Sequence, residues 1–166
     1  VQMTYIPSEQ FTSFRHNIVT RAMPPNKSFF NFLKGNNVWW HDIILVPINI
    51  NENHWLLAVI VPKRQRVYYL DSLYKDAHSD TIRALSALVH VLAYISDDPA
   101  DVTLWTCVQP MDIRRQSNSH ACGAYVCIWA SFIATGDGVK VVDDAYAEFF
   151  RNTIAGEILL APGKEV

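Results

Sequence analysis

The sequence is short of cysteine, of charge runs and of long apolar stretches, and each shortage excludes a class of protein. Three cysteines, Cys107, Cys122 and Cys127, are too few and the wrong parity for a disulfide framework. Their spacings match neither a zinc finger nor a redox CxxC pair, so neither metal nor cofactor is expected. Such thiols suit a reducing, intracellular setting. Acids and bases are scattered around a net charge of −2, which offers nucleic acid no basic surface. No apolar stretch can span a membrane, the run at 122–134 falling well short. The opening VQMTYIPSEQ lacks the basic start and apolar core of a signal peptide. A first residue other than Met reads as a piece processed from something longer. With no internal repeat and no linker, residues 1–166 are expected to form one domain, long enough for a real core.

What is present reads as alternating helix and strand. Ser8 to Met23 has apolar residues at helical spacing (Phe11, Phe14, Ile18, Val19, Ala22) and stops at Pro24-Pro25. SFFNFL, Ser28 to Leu33, is a turn of helix broken by Gly35-Asn36-Asn37. Ile43 to Ile48 is a buried strand, with Pro47 arguing for an edge or a bulge. Trp55 to Val61 and Val67 to Leu70 form a hairpin around a solvated basic tip, Lys63 to Arg66. Ser79 opens an amphipathic helix with Ile82, Leu85, Val89, Leu92 and Ile95 on one face, closed by Asp97-Asp98-Pro99. Val102 to Val108 is a fourth strand, and Asp143 to Ile154 a last helix with Ala147, Phe150 and Ile154 inward. The tail APGKEV is expected to fray. The fold class is therefore α+β, a small central mixed sheet flanked by helices.

The chemistry centres on QSNSHACGAYVC, Gln116 to Cys127. A polar segment stops at Cys122, and Gly123 to Ala134 is then almost wholly apolar, a helix expected to be buried on all sides. Cys122 would open that helix, where the dipole favours a thiolate. The competing reading is a small core residue, because free cysteines are often buried; Cys127 is read that way. A nucleophilic thiol needs a base, a group to orient the base and donors for an oxyanion. His16, His78 and His90 read as helix-surface or cap residues, His41 as an unsupported loop position, and His120 as too near Cys122 in sequence. His54 stands at a strand mouth after a polar turn. Asp71 follows the partner strand, so antiparallel pairing brings it beside His54. Gln116 is placed to offer its amide beside the Cys122 N–H.

PIN before His54-Trp55, YYLDSL ending at Asp71-Ser72-Leu73, and QxNxxxCGxYVC around Cys122 occur in that order. Together they resemble the Ulp/sentrin-specific cysteine peptidases, whose fold is adenain-like and papain-like, over about Phe29 to Leu160. The resemblance implies Cys122 as nucleophile, His54 as general base, Asp71 as its orienting acid and Gln116 as oxyanion donor. Trp55 would cover a narrow tunnel for a Gly-Gly tail. The implied partner is a ubiquitin-like modifier, SUMO foremost, with its conjugates, cut by a monomeric thiol isopeptidase in nucleus or cytoplasm. Two departures stand out. Ala121 occupies the place of an acid usual before the nucleophile. A second tunnel tryptophan has no match before Trp39, which leaves Phe11, Phe14 or another residue to substitute. Two other readings fit the same order of residues. An effector-type acetyltransferase would need a basic coenzyme A pocket that the sequence does not display. A decayed modifier-binding module would not need Cys122, His54, Asp71 and Gln116 intact.

Overall fold

The computed structural model describes residues 1–21, 27–98, 101–139 and 141–160. Pro24-Pro25, Pro99 and the APGKEV tail lie outside them. Five strands form one mixed sheet in chain order: β1 (Met3–Tyr5), β2 (Ile43–Ile50), β3 (His54–Val61), β4 (Arg66–Leu70) and β5 (Thr106–Val108). β1 runs parallel to β2 and β5 parallel to β4, while β2, β3 and β4 pair antiparallel.

Period-two alternation gives each strand its two faces. Ile44, Val46, Ile48 and Ile50 of β2, with Leu56, Ala58 and Ile60 of β3, point into one core. That core is covered by α1 (Ser8–Thr20), α2 (Lys27–Gly35) and α3 (Ser79–Ile95). Leu57 and Val59 of β3 and Leu70 of β4 point into a second core on the opposite face, beneath α4 (Cys122–Thr135) and α5 (Asp144–Leu160). β3 is buried on both faces, which its unbroken apolar sequence requires. Pro47 pairs with Leu57 in uninterrupted register, so there is no bulge; it lies beyond the three residues that β1 covers, where β2 is locally an edge.

Several boundaries and faces differ from the sequence reading. α1 ends at Thr20, because Arg21 takes a left-handed conformation (φ 54°). The expected strand over 102–108 is a 3-10 turn, Val102–Leu104, followed by the short β5. The inward face of α3 includes Thr81, Ala84 and Leu88, with Ile82 and Ile95 only half-buried. α4 is not buried on all sides: Tyr125, Val126, Ile128 and Trp129 face the core, while Cys127, Ser131 and Ala134 are exposed. Their spacing puts these three along one edge of the helix. Cys127 is thus a surface thiol, not a core residue. In α5, Ala147 is buried and Phe150 half-buried, but Ile154 is exposed.

Candidate active site

The β2–β3 turn sets the first functional side chain. Asn51 and Glu52 both have positive φ (53° and 60°), and the N–H of Asn53 closes the turn on the carbonyl of Ile50. Two left-handed central residues match the twist of a tight hairpin. The turn delivers His54 as the first residue of β3, paired with Ile50 and buried. On the other side of β3, the register with β4 ends at Leu57 and Leu70. Asp71 follows directly, fully buried, and its Oδ1 lies 2.9 Å from His54 Nε2.

The same Oδ1 accepts the backbone N–H groups of Leu73 (2.8 Å) and Tyr74 (3.0 Å). A carboxylate only accepts, so His54 Nε2 carries the proton of this bond, and Nδ1 of the neutral ring holds the lone pair. Nδ1 is buried with no hydrogen-bond partner among the described residues. Tyr74 stands edge-on to the His54 ring, with centroids 5.1 Å apart.

Burial by itself would raise the carboxyl pKa of Asp71. The bonds from His54, Tyr74 and Leu73 outweigh it and hold Asp71 below the ordinary carboxylate value. A carboxyl lowered on folding stabilises the fold above its unfolded pKa, and that contribution is lost as pH falls through the folded value. The wild type is therefore expected to lose stability from about pH 4 downward more steeply than Asp71→Asn. Urea melts across that range would read the slopes, and equal slopes would contradict the assignment.

α4 packs across β3 and brings Cys122 to the same end of the sheet. A Cβ placed on Gly123 would sit 3.9 Å from Cδ1 of Trp55, the neighbour of His54. Cys122 is buried at the first position of α4, where a helix leaves its N–H groups without i−4 partners. Trp55 is half-buried on the α4 face, against the second core.

Gln116 is buried just upstream, with both ends of its amide engaged. Oε1 accepts from Ser72 Oγ at 2.6 Å, and Nε2 donates to the Asn118 carbonyl at 2.6 Å. The Gln116 N–H also donates to the Ser72 carbonyl (2.8 Å). Asn118 Oδ1 accepts the N–H groups of His120 (3.0 Å) and Ala121 (2.8 Å), which bends the loop into α4. Ala121, the N-cap of α4, is buried and provides no side-chain cap. A carboxylate at that buried position would need a partner, and alanine does not.

His54, Asp71, Gln116, Cys122 and Trp55, the residues singled out in the sequence, lie at one end of the sheet. The sequence reading missed the residues that tie them together: Ser72, Asn118, Arg115 and Asp144. Arg115 Nη1 donates to the carbonyls of Asp71 and Tyr74, clamping the turn that carries the acid. Asp144, opening α5, accepts from the Ser117 N–H (2.9 Å) and from Tyr125 Oη (3.0 Å). Ser72 and Asn118 were visible within the DSL and QxN motifs, whereas nothing local marks Arg115 or Asp144. Phe11, Phe14 and Trp39 all lie in the core on the other face of the sheet, so none of them lines a tunnel with Trp55. His16 and His90 are exposed on α1 and α3, across the sheet, and His41 bonds the Asn37 carbonyl. Among the described residues no group of His, Cys, Asp and Glu is arranged to hold a metal ion, and no helix is long and apolar enough to cross a membrane.

Comparison with known proteins gives one answer. The family model "Ulp1 protease family, C-terminal catalytic domain" matches residues 9–166. Human sentrin-specific protease 2 is 31% identical over 135 residues, 76% of this chain and 21% of that protein. A sentrin-specific protease of Caenorhabditis elegans is 31% identical over 124 residues, 72% of this chain and 17% of that one. The chain therefore spans about a fifth of the length of these relatives. Among solved structures, the C-terminal Ulp1 protease domain in complex with Smt3, the yeast ortholog of SUMO, superposes with a TM-score of 0.74 at 22% identity. The match covers 95% of this chain and 68% of that one. The Ulp1-like SUMO protease catalytic domain of Chaetomium thermophilum gives 0.69 at 24% identity, over 99% and 63%. These two share the fold, and the family match extends along nearly the whole sequence: the chain belongs to the Ulp1 protease family and corresponds to its C-terminal catalytic domain.

Proposed function

We propose that this domain is a thiol isopeptidase that cleaves after the C-terminal Gly-Gly of a ubiquitin-like modifier, with SUMO as the modifier. The observation that carries the reading is the buried His54–Asp71 pair, whose unpartnered Nδ1 lies at the end of the sheet where α4 begins with Cys122. Relatives named sentrin-specific proteases support the substrate class.

In this reading Cys122 Sγ attacks the carbonyl carbon of the terminal glycine while its proton passes to His54 Nδ1. The developing oxyanion is held by the Cys122 N–H and by the second N–H of Gln116 Nε2. The C–N bond then breaks, and His54 returns the proton to the departing lysine amine or peptide. Water, deprotonated by His54, attacks the thioester carbonyl; the C–S bond breaks and the thiol is regenerated. Asp71 keeps the imidazole in the tautomer this sequence needs and stabilises the imidazolium that forms. Trp55, beside the base, narrows the approach to a chain without side chains.

C-terminal fluorogenic amides of SUMO, ubiquitin and other ubiquitin-like proteins test the reading directly. Turnover is expected with the SUMO amide, and its absence with every member of the panel would overturn the proposal. Gln116→Ala is expected to lower kcat by roughly 10²–10³ if Gln116 is an oxyanion donor; a loss under tenfold would remove it from that role.

A further inference from the structure

We propose that Ser72 is a positioning residue for catalysis, acting through the amide of Gln116. This rests on the reading of Gln116 as the oxyanion donor. Ser72 is fully buried, and its hydroxyl donates to Gln116 Oε1 at 2.6 Å. At the far end of the amide the Asn118 carbonyl can only accept, so Nε2 must face it. The two contacts together leave the amide one orientation. Of its two donor hydrogens, the second N–H of Nε2 remains for the substrate oxyanion.

The Ser72 backbone reinforces the arrangement, because its carbonyl accepts the Gln116 N–H at 2.8 Å. Ser72 thereby holds Gln116 by backbone and side chain at once, 44 positions away in sequence. It also directly follows Asp71, whose own carbonyl is bonded by Arg115 next to Gln116. The turn that orients the base and the loop that carries the oxyanion donor are therefore one hydrogen-bonded unit. A preorganised donor outperforms one that must be oriented during the reaction, and small displacements of a reacting group cost up to about 10² in rate.

Among the described residues the hydroxyl has no other hydrogen-bond partner. Removing it leaves Gln116 Oε1 buried and unbonded, which lets the amide turn away or admit water. Ser72→Ala is expected to lower kcat on the SUMO fluorogenic amide by about tenfold to a hundredfold with KM little changed. Alkylation of Cys122 by iodoacetamide, which needs the His54–Cys122 pair but no oxyanion donor, should keep its wild-type rate and pH profile. The decisive comparison is the double variant: with Gln116→Ala already present, Ser72→Ala should cost nothing further. Full activity in Ser72→Ala, or a loss that multiplies with that of Gln116→Ala, would overturn the assignment of Ser72 alone. A loss under tenfold in Gln116→Ala would overturn the oxyanion reading, and the role of Ser72 with it. If Ser72→Ala does not fold, Ser72→Gly removes the same hydroxyl and is judged by the same comparison.

Discussion

Cys122→Ala is expected to abolish hydrolysis of a SUMO fusion while leaving the melting temperature close to that of the wild type. The two halves of the expectation have separate physical causes. Cys122 is buried, so its thiol contributes some packing, but alanine at the first turn of a helix keeps helix propensity and removes only one atom. A small loss of stability, about 1 kcal/mol, is what such a change brings in a typical core. The chemical loss is complete, because no other cysteine can substitute. Cys107 and Cys127 are exposed, and Cys127 lies more than one helical turn further along α4. Cys122→Ser should also be inactive: it restores the shape, but an alcohol at this position is a far weaker nucleophile than a thiolate. Full activity in either variant would end the thiol-protease account.

His54→Ala should be nearly as damaging to turnover and more informative about its cause. General-base catalysis contributes typically about 10²–10⁴ in rate, and here the same ring also protonates the leaving amine. The loss is expected at or above the upper end of that range. Small-molecule alkylation separates this effect from substrate binding, because it reports on the thiolate alone. At neutral pH, alkylation of Cys122 should slow in His54→Ala and lose the pH profile of the wild type. Unchanged alkylation kinetics would show that His54 is not the partner of Cys122. Removing His54 also strands Asp71, a fully buried carboxylate that, among the described residues, would keep only the N–H bonds from Leu73 and Tyr74. Some destabilisation should accompany the variant, so alkylation must be read on folded protein.

The parts of the site most legible in the sequence were those governed by short-range rules. Two short apolar, β-branched runs around a polar basic turn predict a hairpin, and an antiparallel hairpin brings its two open ends together, which is how residues 54 and 71 meet. The register adds a detail that the apolar runs cannot supply. Leu57 pairs with Leu70, so His54 lies beyond the last pair and reaches Asp71 by its side chain. Cys122 was legible because a polar segment met an apolar one there.

What escaped depends on contacts between distant segments. The bond between Ser72 and Gln116 joins two turns that no periodicity relates, and Asp144 braces Ser117 from the start of α5. The environment of α4 was misjudged because composition does not reveal which edge of an apolar helix is covered. Its exposed edge consists of Cys127, Ser131 and Ala134, small residues that expose little apolar surface and so carry no strong signal of exposure. Phe11 and Phe14 could be placed on a helix, but not on a face of the sheet; the structure puts them across the sheet from Trp55.

The central claim is that Cys122 attacks the C-terminal carbonyl of SUMO. Incubating the protein with a SUMO derivative ending in a C-terminal electrophile, followed by peptide mapping of the adduct, tests it most directly. The account predicts a single covalent adduct on Cys122, formed at neutral pH and lost in His54→Ala. An adduct on the exposed Cys107 or Cys127, or none at all with active probe, would contradict it.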